Sequence, residues 1–211
     1  MLKRNLFIIS LIQLALFIAI SCSSQEYTTA KLAIQQSDFV KAAEWLPKAM
    51  EIEPSNPEIP VVLAVEIYAK NGQWAEMKEM FDRAMGIDPN RAIEVRNYFA
   101  PVNEQIKMYS EEYFAKEFNS GVEQFKKIQE DSENKLDYLE IAIAHFINAS
   151  IINPLNDNTY STLAKCYLDK GDKESAKKAV LASVEINPES FNSNFNAGQI
   201  LSQIGEGSKV V

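Results

Sequence analysis

Thiols and imidazoles make covalent bonds and hold metals near neutral pH more readily than most side chains, and this 211-residue chain has few of them. They are Cys22, Cys166 and a single histidine, His145. A histidine-based zinc site of the hydrolytic kind needs a second imidazole one helical turn away, and there is none. Cys166 falls in a helical pattern and reads as a small buried hydrophobe. No glycine-rich phosphate loop is present, since Gly205-Glu206-Gly207 lacks the strand before it and the helix after it. The acidic side chains, spread along helical patterns, read as a solvated face and not as a catalytic carboxylate pair. No enzymatic activity, metal or cofactor is therefore expected. Cys22 is different because of its setting, the small and polar cluster Ser21-Cys22-Ser23-Ser24, which is suited to cleavage.

The segment that positions Cys22 has Lys3 and Arg4, then an apolar run from Leu6 to Ile20 broken only by Ser10 and Gln13. A spanning helix needs about 20 apolar residues, so this run is short for one and reads as a secretory signal. Ala19-Ile20-Ser21-Cys22 resembles a bacterial lipobox, with Ala19 where Leu is usual. The resemblance implies that Cys22 becomes the acylated first residue of the mature protein. It would carry a diacylglyceryl thioether and an N-acyl chain such as palmitate, enough acyl chains for a stable membrane anchor. Ser23, not Asp, follows the cysteine, which by analogy with enterobacterial sorting implies the outer membrane, facing the periplasm. With Cys22 acylated, Cys166 has no partner for an intrachain disulfide.

Beyond residue 21 the chain carries a formal charge of −10, which repels nucleic acid backbones and anionic headgroups. Apolar residues make up 46%, enough for a real core, while seven Gly and eight Pro are few for an all-β chain. An all-α fold is predicted.

Internal repetition sharpens that prediction. Glu53-Pro54, Asp88-Pro89, Asn153-Pro154 and Asn187-Pro188 each close an amphipathic helix. The four prolines are spaced 35, 65 and 34 residues apart, close to a period of about 34 or twice it, and Pro after a helix stops it from continuing. The spacing resembles tetratricopeptide repeats, which pair two antiparallel helices per unit. One clear unit has Tyr160, Leu163, Ala164 and Tyr167 before the turn Gly171-Asp172, then Ala176, Val180 and Ser183. A second has Val61, Ala64 and Tyr68, the turn Gly72-Gln73-Trp74, then Phe81 and Ala84, with bulkier Val65 and Met77 at usually small positions. The resemblance implies an α-solenoid of antiparallel helix pairs after the signal peptide of residues 1–21. Its parts are repeat 1 over 22–56, repeat 2 over 57–90, a linking helix region over 91–113, an extended repeat 3 over 114–156, repeat 4 over 157–190, and a capping helix and tail over 191–211.

Phe118-Asn119-Ser120-Gly121 matches Phe195-Asn196-Ala197-Gly198, which predicts close helix contacts at Gly121 and at Gly198 in the cap. Repeat 3 is longer than the standard period, with the insertion expected near Gln129 to Lys135 and a long helix expected to start near Pro101.

In tetratricopeptide proteins the first helices of the units form a concave binding surface. The matching positions are Ile59, Val62, Glu66 and Lys70; Phe118, Val122 and Phe125; Asn158, Ser161, Lys165 and Asp169; and Asn192 and Gln199. Phe118, Val122 and Phe125 share a helix face and would anchor a partner helix or extended peptide, with Asn158, Ser161 and Asn192 bonding its backbone. If the inserted segment folds over them, the same three residues are ordinary core. The cationic cluster that members of the family use to grip a chaperone tail is not reproduced. The resemblance thus implies a lipid-anchored interaction scaffold for a protein or peptide of a cell-envelope assembly; the alternative is an accessory subunit of an envelope enzyme or peptidoglycan-associated complex. Oligomeric state does not follow from the sequence.

Overall fold

A computed structural model describes residues 23–131 and 133–206. The signal segment and Cys22 lie outside the described residues. Short polar side chains start most of the helices, because a helix leaves its first amides without partners. Ser24 caps α1 (Gln25–Gln35), accepting from the Tyr27 amide, and Asp38 caps α2 (Phe39–Ile52), accepting from Lys41. Helix α3 begins as an α-helix over Glu58–Leu63 and continues as a π turn over Ala64–Tyr68, beside the buried bulk of Val65 and Met77. Its partner is α4 (Trp74–Ile87).

Two strands follow, β1 (Ala92–Val95) and β2 (Tyr98–Pro101), paired antiparallel with Val95 opposite Tyr98. Then come α5 (Val102–Glu130) and α6 (Lys135–Ile152), α7 (Asp157–Lys170) and α8 (Lys173–Ile186), and finally α9 (Phe191–Gln203). Asn156, Asp172 and Ser190 cap the last three. The architecture is an α-solenoid of antiparallel helix pairs.

One turn geometry recurs at the ends of helices. The amides of Gly171 and Asp172 return to the carbonyls of Leu168 and Tyr167, and the same pair of bonds closes the turns at Ser37-Asp38, Gly72-Gln73 and Gly205-Glu206. The first residue of each turn is left-handed, which Gly171 adopts at φ 88° without the penalty a side chain brings.

The region 91–113, expected as a linking helix, differs in its first part. Ile93 and Val95 point into the core while Ala92 and Glu94 face out, so four residues alternate as a strand must. Arg96 and Asn97, at φ 52° and 63°, form the two-residue turn. Gln105 of α5 is fully buried and donates to the Tyr98 carbonyl at 2.7 Å, pinning the hairpin to the helix. The long helix begins at Val102 as anticipated, but the extra residues of repeat 3 do not form a large loop. They lengthen α5 and α6, leaving only residues 131–134 between them.

The described residues form two cores. The first joins α1 to α4, the hairpin and the start of α5 through residues such as Tyr27, Leu46, Leu63, Ile93 and Tyr109. The second joins the rest of α5 to α9 through Leu139, Phe146, Leu163, Val180 and Leu201. Helix α5 spans both, with Tyr109 and Tyr113 in one and Phe118 and Val122 against the other.

Candidate functional site

The first helices of the later repeats line a cavity of about 400 Å³. Phe125 of α5, Asn158, Ser161 and Lys165 of α7 and Gln199 of α9 meet there, together with Asp169 and Asn196. These positions recur along successive first helices, so packing the second core sets them side by side. Lys165 carries its ammonium 5.5 Å from the Phe125 ring centroid, holding a cation at an apolar wall. Ser161 is buried and its hydroxyl has no hydrogen-bond partner among the described residues. An unpaired buried hydroxyl costs about 1–3 kcal/mol, so a bound acceptor or donor would be favoured there.

Three anticipated groove residues fall outside this cavity. Phe118 packs edge-on against Phe146 of α6 with centroids 5.4 Å apart, and Val122 packs beside it on the second core. Both side chains are taken up by their own helix pair. The three-residue anchor therefore reduces to Phe125. Asn192 is exposed near the start of α9 and does not line the cavity. Gly198 is also corrected: a Cβ there would meet nothing within 4 Å, whereas one at Gly121 would lie 2.8 Å from the Phe146 ring.

A second cavity, of about 340 Å³, opens between α1, α3 and the hairpin tip. Lys31, Gln35, Val62, Glu66, Arg96 and Asn97 line it. Glu66 is buried in the π turn and is bridged by Lys70 at 2.6 Å and Arg96 at 2.7 Å. Burial opposes its ionisation, but the bonds from Lys70 and Arg96 outweigh that and hold its carboxyl below the ordinary value. Arg96 also reaches the Val65 carbonyl at 3.2 Å and sits over the Tyr109 ring. Val62, Glu66 and Lys70 were legible as concave positions. Arg96 was not, because only the hairpin brings it there; the one signal was short alternation around Arg96-Asn97.

His145 and Cys166 line neither of these two cavities. His145 binds Glu117 through Nδ1 at 2.8 Å, and Asn148 donates to the same carboxylate at 2.9 Å, tying α6 to α5. Burial pushes the Cys166 thiol up to about 12, which suppresses the nucleophilic thiolate. Among the described residues no group of three or more His, Cys, Asp or Glu side chains is placed to hold a metal. Among the same residues no helix is long and apolar enough to cross a membrane.

Residues 158–190, the α7–α8 pair and the loop after it, match the tetratricopeptide repeat family. The chain therefore contains a tetratricopeptide repeat within a solenoid of similar helix pairs. Among solved structures it is similar to a MamA protein at 17% identity, covering 88% of this chain and 84% of that one with a TM-score of 0.37. It is also similar to MamA from Desulfovibrio magneticus RS-1, at 13% identity over 90% and 91% of the two chains and a TM-score of 0.39. YrrB, described as a TPR protein with an unusual peptide-binding site, aligns at 16% identity over 90% and 81%, with a TM-score of 0.33. No curated protein matches the chain.

Proposed function

We propose that this protein is a non-enzymatic binding scaffold that holds an extended or helical segment of a partner protein in the cavity between α5, α7 and α9. The carrying observation is the buried, unpartnered Ser161 hydroxyl in a cavity that also holds Phe125, Lys165 and the amides of Asn158 and Gln199. A peptide supplies what those groups lack: backbone donors and acceptors for the hydroxyl and amides, an apolar side chain for Phe125, and a carboxylate for Lys165. In the same reading, Cys22 carries acyl chains that anchor the scaffold in the cell envelope, in the outer membrane facing the periplasm, where it serves an envelope assembly.

A photo-crosslinking side chain at Gln199 of the full-length chain tests the cavity. A partner should be captured from intact envelopes and lost on Phe125→Ser, with the melting temperature near that of the parent. Capture that ignores Phe125→Ser would place binding elsewhere. Cys22→Ser should abolish acyl labelling and the normal cleavage, and absence of acyl mass on Cys22 in the parent would refute the anchor alone.

A further inference from the structure

Helix α9 presents Phe191, Phe195 and Gly198 on one face, at spacings of four and three residues. The two rings stack with centroids 5.8 Å apart and are 78% and 53% exposed. The opposite face, with Ser193, Ala197, Ile200 and Leu201, is buried on the preceding repeat. Helix α5 repeats the outer arrangement with Phe114, Phe118 and Gly121, whose rings stack at 5.6 Å. There the face is occupied: Phe146 of α6 packs edge-on against Phe118 and fills the notch at Gly121. The molecule thus contains a worked example of what this face binds, a helix that brings an aromatic ring to the glycine.

We propose that the α9 face pairs two copies of this chain, with the helices antiparallel and Phe195 of each copy seated in the Gly198 notch of the other. Ring and notch lie on the same helix, so the face is complementary to itself, as a two-fold interface requires. Charge permits the same occupant at this face alone. Past residue 21 the chain carries a formal −10, and two copies repel over most of their surfaces. Helix α9 has no charged residue from Phe191 to Gln203, so its approach to a second α9 carries no local repulsion. A 13-residue helix is about 20 Å long, a small contact, so the pairing is weak and depends on concentration.

Phe195→Cys and Gly198→Cys forms of the full-length chain, made together and oxidised mildly in extract, should give a disulfide-linked dimer that neither form gives alone, because residue 195 of one copy faces residue 198 of the other. Cys166 is buried and does not interfere, and the parent chain shows what Cys22 contributes. Val40→Cys, 86% exposed on α2, reports random collision and should give no such band. Because a Cβ at 198 meets nothing in the single chain, Gly198→Leu should leave the fold intact, fill the notch and shift the sedimenting species from dimer to monomer. The proposal is overturned if the parent sediments as a monomer at every concentration, if the mixed Phe195→Cys and Gly198→Cys forms crosslink no more than Val40→Cys, or if a dimer survives both Phe195→Ser and Gly198→Leu. Crosslinks only to a different protein would also overturn it, assigning the face to a foreign helix.

Discussion

Helices α5 and α9 carry the same outer face, two phenylalanines four residues apart and a glycine three further on, yet one is inside the molecule and the other outside it. In α5 the glycine admits Phe146 to a contact that a Cβ would obstruct; in α9 the same position faces open space. The residue before the second phenylalanine follows the difference. Glu117 is buried and depends on His145 and Asn148 of α6 for its hydrogen bonds. Its counterpart Asn194 turns back to the carbonyls of Pro188 and Ser190 and needs no second helix. In α5 the aromatic–glycine face is filled from within the fold by Phe146, and at α9 the fold leaves the same face open.

The sharpest division should come from the rings. Phe146→Ala empties the centre of the second core and should cost about 3–5 kcal/mol in urea denaturation. Phe195→Ala, at protein concentrations too dilute for pairing, should change stability by less than about 0.5 kcal/mol. Similar losses in the two variants would mean that α9 is covered within its own chain. The glycines give a smaller effect of opposite sign. Gly121→Ala should cost about 1–3 kcal/mol by forcing Phe146 aside, whereas Gly198→Ala should stabilise by about 0.5–1 kcal/mol, since glycine is the poorer helix former. If both substitutions destabilise, the two notches are equivalent and the comparison fails.

The same pair of helices marks how far the sequence could be read. Repeat spacing, the Gly171-Asp172 turn and the small residue at Gly121 are local requirements of packed helix pairs, so the solenoid and that contact could be foreseen. Position 198 could not, because the matching tetrapeptide specifies a face and contains no information about its neighbour. The cavity was legible in part: Phe125, Asn158, Ser161, Lys165 and Gln199 share it because the repeat period orders the first helices. Phe118 and Val122 diverge because lengthening α5 and α6 carries their contacts onto the helix pair itself. The hairpin escaped notice because its strands are only four residues long and its turn lacks glycine, although Ile93 and Val95 alternate correctly. Arg96 depends on that hairpin, so its partnership with Glu66 was equally invisible.

The smallest expected difference lies in how α9 is held on its inner face. Ser193, almost fully buried, donates to Asp157 at the start of α7 over 2.8 Å, across 36 residues of sequence. The Ser193 hydroxyl, with burial opposing it, holds the Asp157 carboxyl below its ordinary value. The stabilisation is therefore fully present above the ordinary aspartate pKa of about 3.9 and is lost as pH falls through the lowered value. Helix α9 is covered on one face, whereas α5 is held by α6 as well, so acid should loosen α9 first. Amide hydrogen exchange, corrected for its intrinsic pH dependence and followed from about pH 5 to about pH 2, should show protection falling in α9 while that of α5 persists. Ser193→Ala should lower α9 protection at neutral pH and remove much of this pH dependence. Protection in α9 that stays flat across the range, or a fall unchanged by Ser193→Ala, would show that the apolar contacts of Ala197, Ile200 and Leu201 hold the helix without help from this bond.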